Sequence, residues 1–217
     1  MQKYWLGIET VVVGFTEPDF ELPKNFSFYS VGKFEDYPAD RWSDAVIEFL
    51  NGVEDEIFVL MLEDYWLTRK VDSRIIQLLE WYMLKHPEIS GIDLTTDRLY
   101  GANIRDYESL DTIDLIVNDP PAPYHLSLQT RIWRKSEILK YLVPGESPWQ
   151  AEIDGTGRMV RDQAVVLGTR QIPLRYLIAV QNGKVAFDGG YQVPGILMRE
   201  KDKRELGKLL PIAAENV

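Results

Sequence analysis

The stretch "FVLMLEDYWLTRKVDS" (58–73) runs five apolar residues straight into two carboxylates, Glu63 and Asp64, and then two aromatics, Tyr65 and Trp66. The apolar run "EIFVLML" (56–62) has the continuity expected of a central strand covered on both faces. Charge is hard to solvate at the mouth of a buried strand, so the acids there imply something cationic or sugar-like. In open parallel sheets ligands bind beyond the carboxyl ends of the strands. Adjacent carboxylates at a strand exit can hold a divalent cation through oxygen, and the cation can hold a diphosphate. The plainer alternative is a loop cap, or a pairing with Arg69 or Lys70.

Working outward, "VDSRIIQLLEWYMLKHPE" (71–88) is the clearest helix. Asp72 or Ser73 caps it, Ile75, Ile76, Leu79, Tyr82 and Met83 form its apolar stripe, and Pro87 ends it. Upstream, "TVVVGF" (10–15) and "FSFYSVG" (26–32) are expected strands, and "PADRWSDAVIEFLNG" (38–52) a helix with Asp40 as cap. Downstream, strands are expected at 90–96 and 112–119 around a polar loop, 97–111, and again over "LSLQTRIW" (126–133). Short helices should follow at 135–142, capped by Ser136, and from Pro148 or Trp149. "AVVLGT" (164–169) and "LRYLIAVQNGKVAF" (174–187) are late strands, the second turning at Asn182-Gly183. A short helix should end the charged tail from Met198. Strand–helix alternation in the first half predicts a largely parallel α/β sheet covered by helices.

The chain has 217 residues, enough for one sizeable core, with no cysteine and a net charge of −10. The absence of thiols fits a reducing compartment, so a cytoplasmic location is expected. No apolar run approaches the length of a membrane span. The acidic balance disfavours duplex nucleic acid as the main ligand, since phosphate contacts demand a basic surface. The dense basic runs are "RIWRK" (131–135) and "REKDKR" (199–204), the second diluted by acids.

A second group of candidate residues lies in "SLQTRIWRKSEILKYLVPGESPWQAE" (127–152). If a helix starts near Pro148, Glu152 falls one turn after Trp149 on the same face. A carboxylate beside an aromatic in a partly dry pocket can have its pKa raised into the range of a general base. The alternative is a core Trp149 with Glu146 and Glu152 as solvated helix ends. Arg131 and Arg134 alternate with Trp133 and can meet diphosphate oxygens, or lie on the surface of an amphipathic strand. His86 suits a helix end. "GTGR" (155–158) lacks the spacing of a dinucleotide loop, and the chain has no Walker loop, zinc spacing or nucleophile elbow.

The order strand–"LEDYWL"–"VD..I..LLE", then "SLQTRIWRK…PGESPWQAE", then a strand near "NGKV", resembles glycosyltransferases of the nucleotide-diphospho-sugar transferase (GT-A-like) superfamily, especially small phage and bacterial members. The resemblance spans about 38–190. It implies a three-layer α/β fold with a mostly parallel central sheet flanked by helices, one domain over 1–217. Within it, 1–125 would be the donor-side half, 126–197 the acceptor-side half and 198–217 a tail. It further implies a nucleotide-sugar donor and a glycan or other hydroxyl acceptor. The donor diphosphate would meet Glu63, Asp64, Tyr65 and Arg131, with Asp64 on Mg²⁺ or Mn²⁺. Glu152, or second Glu146, would be the base, and Trp149 and Trp133 would bind acceptor. The acidic motif here is Glu-Asp-Tyr rather than Asp-x-Asp, which bears on the metal. Residues 4–15 would have to carry the nucleoside. The alternatives are a non-catalytic GT-A-like protein binding a glycan or protein, and a transferase acting on bases of phage DNA.

Overall fold

Asp72 caps α2 (Ser73–Lys85), its side chain accepting from the Ile75 amide. The stripe expected from sequence points inward: Ile76, Leu79, Tyr82 and Met83 are buried. Each such side chain contributes about 1.5–3 kcal/mol on leaving water. The computed structural model describes residues 3–181 and 184–185, apart from 96, 102, 120 and 121. The expected tail helix after Met198 lies outside the described residues.

Two strands open the chain, β1 (Thr10–Gly14) and β2 (Phe26–Ser30), paired in parallel as a sheet of their own. Then come α1 (Trp42–Gly52), β3 (Ile57–Leu60) and β4 (Tyr65–Leu67), and after α2, β5 (Ile89–Asp93). The cap position of α1 is Arg41 rather than Asp40, because a 3-10 turn over Ala39–Arg41 feeds directly into the helix. The 97–111 segment, expected as loop, contains β6 (Ile104–Leu110), which forms a hairpin with β7 (Ile113–Asn118). β6 lies at a sheet margin with most of its side chains in water, so its sequence carries little apolar alternation.

Only Arg131–Arg134 of the expected strand 126–133 is β-structure, as β8. Upstream of it, the Leu126 and Leu128 amides bond to side chains, not to a neighbouring strand. α3 (Lys135–Tyr141) starts at the expected residue, but Arg134 rather than Ser136 holds its cap position, and the Ser136 hydroxyl bonds Glu56. α4 (Pro148–Arg161) begins with Ser147 and Gln150 in a reciprocal capping box. β9 (Val165–Thr169) and β10 (Tyr176–Ile178) follow. β11 (Val180–Gln181) and β12 (Lys184–Val185) pair antiparallel, and the turn residues Asn182 and Gly183 between them lie outside the described residues.

The main sheet has the order β3-β8-β5-β9-β7-β6 and is mixed. β5 and β9 are parallel; the other four neighbouring pairs are antiparallel. Hydrophobic patterning carries no strand direction. The insertion of β8, entering from the 122–130 connection, between β3 and β5 therefore replaces the expected mostly parallel order. β3 is an edge strand rather than a central one, yet both faces are covered. Ile57, Val59 and Met61 pack with α2, and Phe58 and Leu60 pack with the cluster of α1, α3 and α4. The result is a three-layer α/β arrangement.

Register fixes one functional edge. Leu60 and Asp93, the last residues of β3 and β5, both oppose Arg131, the first residue of β8. Asp93 also opposes Gly168 near the end of β9. The start of α1 is tied to the loop before α4, since the Ser43 amide donates to the Glu146 carbonyl at 3.0 Å. The ends of β3, β5 and β9 thus share an edge with the start of α4, which runs back towards β9.

Candidate functional site

Beyond β3 the chain makes a tight turn, with the Tyr65 amide donating to the Leu62 carbonyl at 3.1 Å. Glu63 points into water and Asp64 turns inward. The turn is held from both sides: β4 pairs with β10, and the Asp64 carbonyl accepts from the Ala179 amide at 2.6 Å. Tyr65 is buried and stacks on Tyr176 at 4.3 Å between ring centroids. It holds the turn in place from within the core, where a bound donor cannot reach its ring.

The Asp64 Oδ1 is buried with no hydrogen-bond partner. Burial, and then the neighbouring Glu63 charge, push its carboxyl up to about 6. An orphaned buried carboxylate oxygen costs free energy until a donor or cation meets it. No cluster of three acidic, histidine or cysteine ligands exists among the described residues. Glu63 and Asp64 nevertheless suit a small divalent ion that takes one or two carboxylates and completes its shell with water and phosphate oxygens.

Glu152 sits in the second turn of α4, half-buried, and its Oε1 accepts from the Leu128 amide at 2.7 Å. Burial raises its pKa. The Leu128 amide, the Arg131 charge and the Ser127 hydroxyl pull the other way without cancelling that rise. Its neighbour Thr156 takes the Leu126 amide at 3.1 Å, so α4 is stitched to the segment leading into β8. Asp64 follows Leu60, which pairs with Arg131, by four residues, and Glu152 is bonded to Leu128, three residues ahead of Arg131; no contact joins the two acids among the described residues. Trp149, one turn before Glu152, is 67 % exposed rather than core.

Three expected contacts are corrected. Trp133 is 0 % exposed within the α1–α3–α4 cluster, so it binds no acceptor. Arg131 is equally buried, stacked on Trp133 with its guanidinium carbon 4.3 Å from the ring centroid, and it bonds Asp93 and the His125 carbonyl. It cannot reach a diphosphate. Glu146 makes two 2.8 Å bonds to the Arg158 guanidinium and is committed to that pair, not to proton transfer. Glu146→Ala should cost about 3 kcal/mol by removing the counter-charge of the largely buried Arg158, whose Nε also holds the Tyr141 carbonyl at 2.9 Å, while activity per folded molecule stays intact. Chemical denaturation alongside turnover checks this.

The buried polar centre of this edge went unread in the sequence. Asp93 lies between Arg131 and Arg98, the latter at 2.5 Å. Burial would raise its carboxyl, but Arg131 and Arg98 outweigh it and hold Asp93 below the usual carboxylate range. Two glycines make the room: a Cβ on Gly91 would lie 2.8 Å from Arg131 Cδ, and one on Gly168 would lie 2.7 Å from Arg98 Cβ. Bare glycines inside strand patterns were the available signal, since they mark close approach by another chain segment. His125 is buried, and burial drives its pKa down to about 4; its Nε2 bonds the Ala164 carbonyl at 2.7 Å. It is a neutral strut between β9 and the segment before β8, and not a ligand. His86 stacks on Tyr82 at the end of α2. "GTGR" lies inside α4.

No family model and no curated protein matches the chain. Among solved structures it is similar to a crystal structure of apo UDP-glucose pyrophosphorylase, at 15% sequence identity and a TM-score of 0.39. The similarity covers 70% of this chain and 58% of that one, and at that level it carries no weight for fold or chemistry. Among the described residues no helix is long and apolar enough to cross a membrane.

Proposed function

We propose that the chain is a glycosyltransferase that moves a sugar from a nucleotide-diphosphate donor to an acceptor hydroxyl. The observation that supports the proposal is the half-buried Asp64 carboxylate beyond β3, with one oxygen lacking a hydrogen-bond partner and its pKa raised to about 6. The raised, half-buried Glu152 carboxylate is the candidate base. Asp64, with Glu63 beside it in solvent, is the donor-side group. The solvent-facing side of this pair is where a cation–diphosphate would be held. Mg²⁺ or Mn²⁺ there would take up charge developing on the departing diphosphate.

Glu152 is the acceptor-side group. As the acceptor oxygen bonds to the anomeric carbon and the bond to the diphosphate breaks, Glu152 receives the hydroxyl proton. The Leu128 amide orients its carboxylate, and burial raises its basicity. Trp149, exposed one turn away, offers an aromatic face to the apolar side of an acceptor sugar. Residues 1–125 supply the donor half and 126–197 the acceptor half.

The test is a thermal-shift panel of uridine, guanosine, cytidine and thymidine diphosphates with and without Mn²⁺, followed by turnover of the corresponding nucleotide sugars. Expected is stabilisation that needs both nucleotide and metal, growing with ligand concentration as linkage requires. No stabilisation by any pair overturns the reading. Stabilisation without turnover or donor hydrolysis leaves a non-catalytic binding protein.

A further inference from the structure

We infer that Asp93 is a positioning residue for Glu152, acting through Arg131. The inference rests on the role assigned to Glu152 above, although its test needs no substrate. Arg131 is in contact with Asp93 and acts on Glu152 through its charge. Its Nε bonds Asp93, Nη1 bonds the His125 carbonyl at 2.8 Å, and its charge acts on Glu152. Asp93 is shared with Arg98, whose Nη2 donates to the Tyr124 carbonyl at 3.1 Å and to the His125 carbonyl at 3.4 Å. Two guanidiniums and one carboxylate meet in a place all but closed to water, since all three side chains are at most 4% exposed.

The same contacts fix geometry. Both arginines hold the His125 carbonyl, His125 leads into Leu126 and Ser127, and the next amide, Leu128, holds Glu152. Among the described residues, the groups that act on Glu152 are the Arg131 charge from β8, with the Ser127 hydroxyl and the Leu128 amide from the segment before it. His125, neutral where it lies, adds no charge to that set. Asp93 therefore determines how much of the Arg131 charge is left for the base and where the carboxylate is held.

Two variants separate this role from a merely structural one because they move Glu152 in opposite directions. Asp93→Asn keeps the shape and removes the counter-charge, so more of the Arg131 field falls on Glu152 and its titration moves to lower pH. The double variant Asp93→Asn/Arg131→Gln preserves the buried net charge but removes the facing cation, so the titration moves to higher pH. The readout is carbon NMR of the glutamate carboxyls in the full chain, with Glu152 assigned by its loss in Glu152→Gln and folding checked by circular dichroism. Opposite shifts support the inference, as does the upward shift alone if only the double variant folds. Unchanged titrations, or two shifts of the same sign, overturn it. So does failure of both variants to fold, which would make the triplet a folding device. Because no donor or acceptor is used, the outcome is independent of whether the chain transfers sugars.

Discussion

Asp64→Asn should abolish donor turnover and at the same time raise the melting temperature at neutral pH. Loss of a group that stabilises transition-state charge costs about 10²- to 10³-fold in rate. The stability gain comes from the same carboxylate. Asp64 has its folded pKa raised from 3.8 to about 6, so the folded state binds the proton more tightly than the unfolded chain. Its ionised form therefore opposes folding above pH 6. That cost fades as pH falls from about 6 through 3.8, below which both states are protonated. The full shift corresponds to about 3 kcal/mol. Solvent screening over the exposed half of the group brings the net to about 1 kcal/mol. In cation-free buffer the asparagine variant should thus be the more stable at pH 7, with the two proteins converging near pH 4. Thermal melts at both pH values, read beside the rate, check the pair of outcomes. A variant that loses activity and stability together would make Asp64 an ordinary structural acid.

Glu152→Gln should lower kcat by about 10²- to 10⁴-fold, the usual contribution of a positioned base. The donor KM should remain close to that of the wild type. Glutamine keeps an oxygen to accept the Leu128 amide, so the stitch between α4 and β8 survives and the fold with it. The acid limb of the wild-type kcat profile should sit above the ordinary glutamate range, because burial outweighs the Leu128 amide and Arg131. Steady-state kinetics across pH, with donor binding measured separately, decides the matter. Equal loss of donor affinity and rate would remove Glu152 from the acceptor side.

What the sequence made legible were the features encoded locally. The Asp72 cap and apolar stripe of α2 are visible within one window, as are the proline start of α4 and the carboxylates after the 56–62 run. The spacing of Trp149 and Glu152 likewise falls within a single helical turn. The unread features join residues far apart in the chain. Arg131 looked like a surface or ligand-facing residue because Asp93, which buries it, lies 38 positions away. Glu146 looked available for chemistry because Arg158, its partner, belongs to the far end of the helix that follows it. Trp133 alternates with two arginines as an amphipathic strand would, yet β8 runs between two other strands and has helices against it. Strand direction left no mark in the apolar pattern at all.

The margin formed by β6 has a consequence for how the molecule behaves in a crowded solution. Among the described residues β6 pairs only with β7, and the outer side of such an edge strand offers its backbone to any chain that can lie alongside it. Here Arg105 and Asp106 project from that strand into salt bridges with Asp119 and Arg170, and Glu108 holds the Tyr82 hydroxyl. A second copy approaching this rim would have to strip water from charges already matched at home. The polar run that hid β6 from view as a strand is thus a guard against fibrillar self-association.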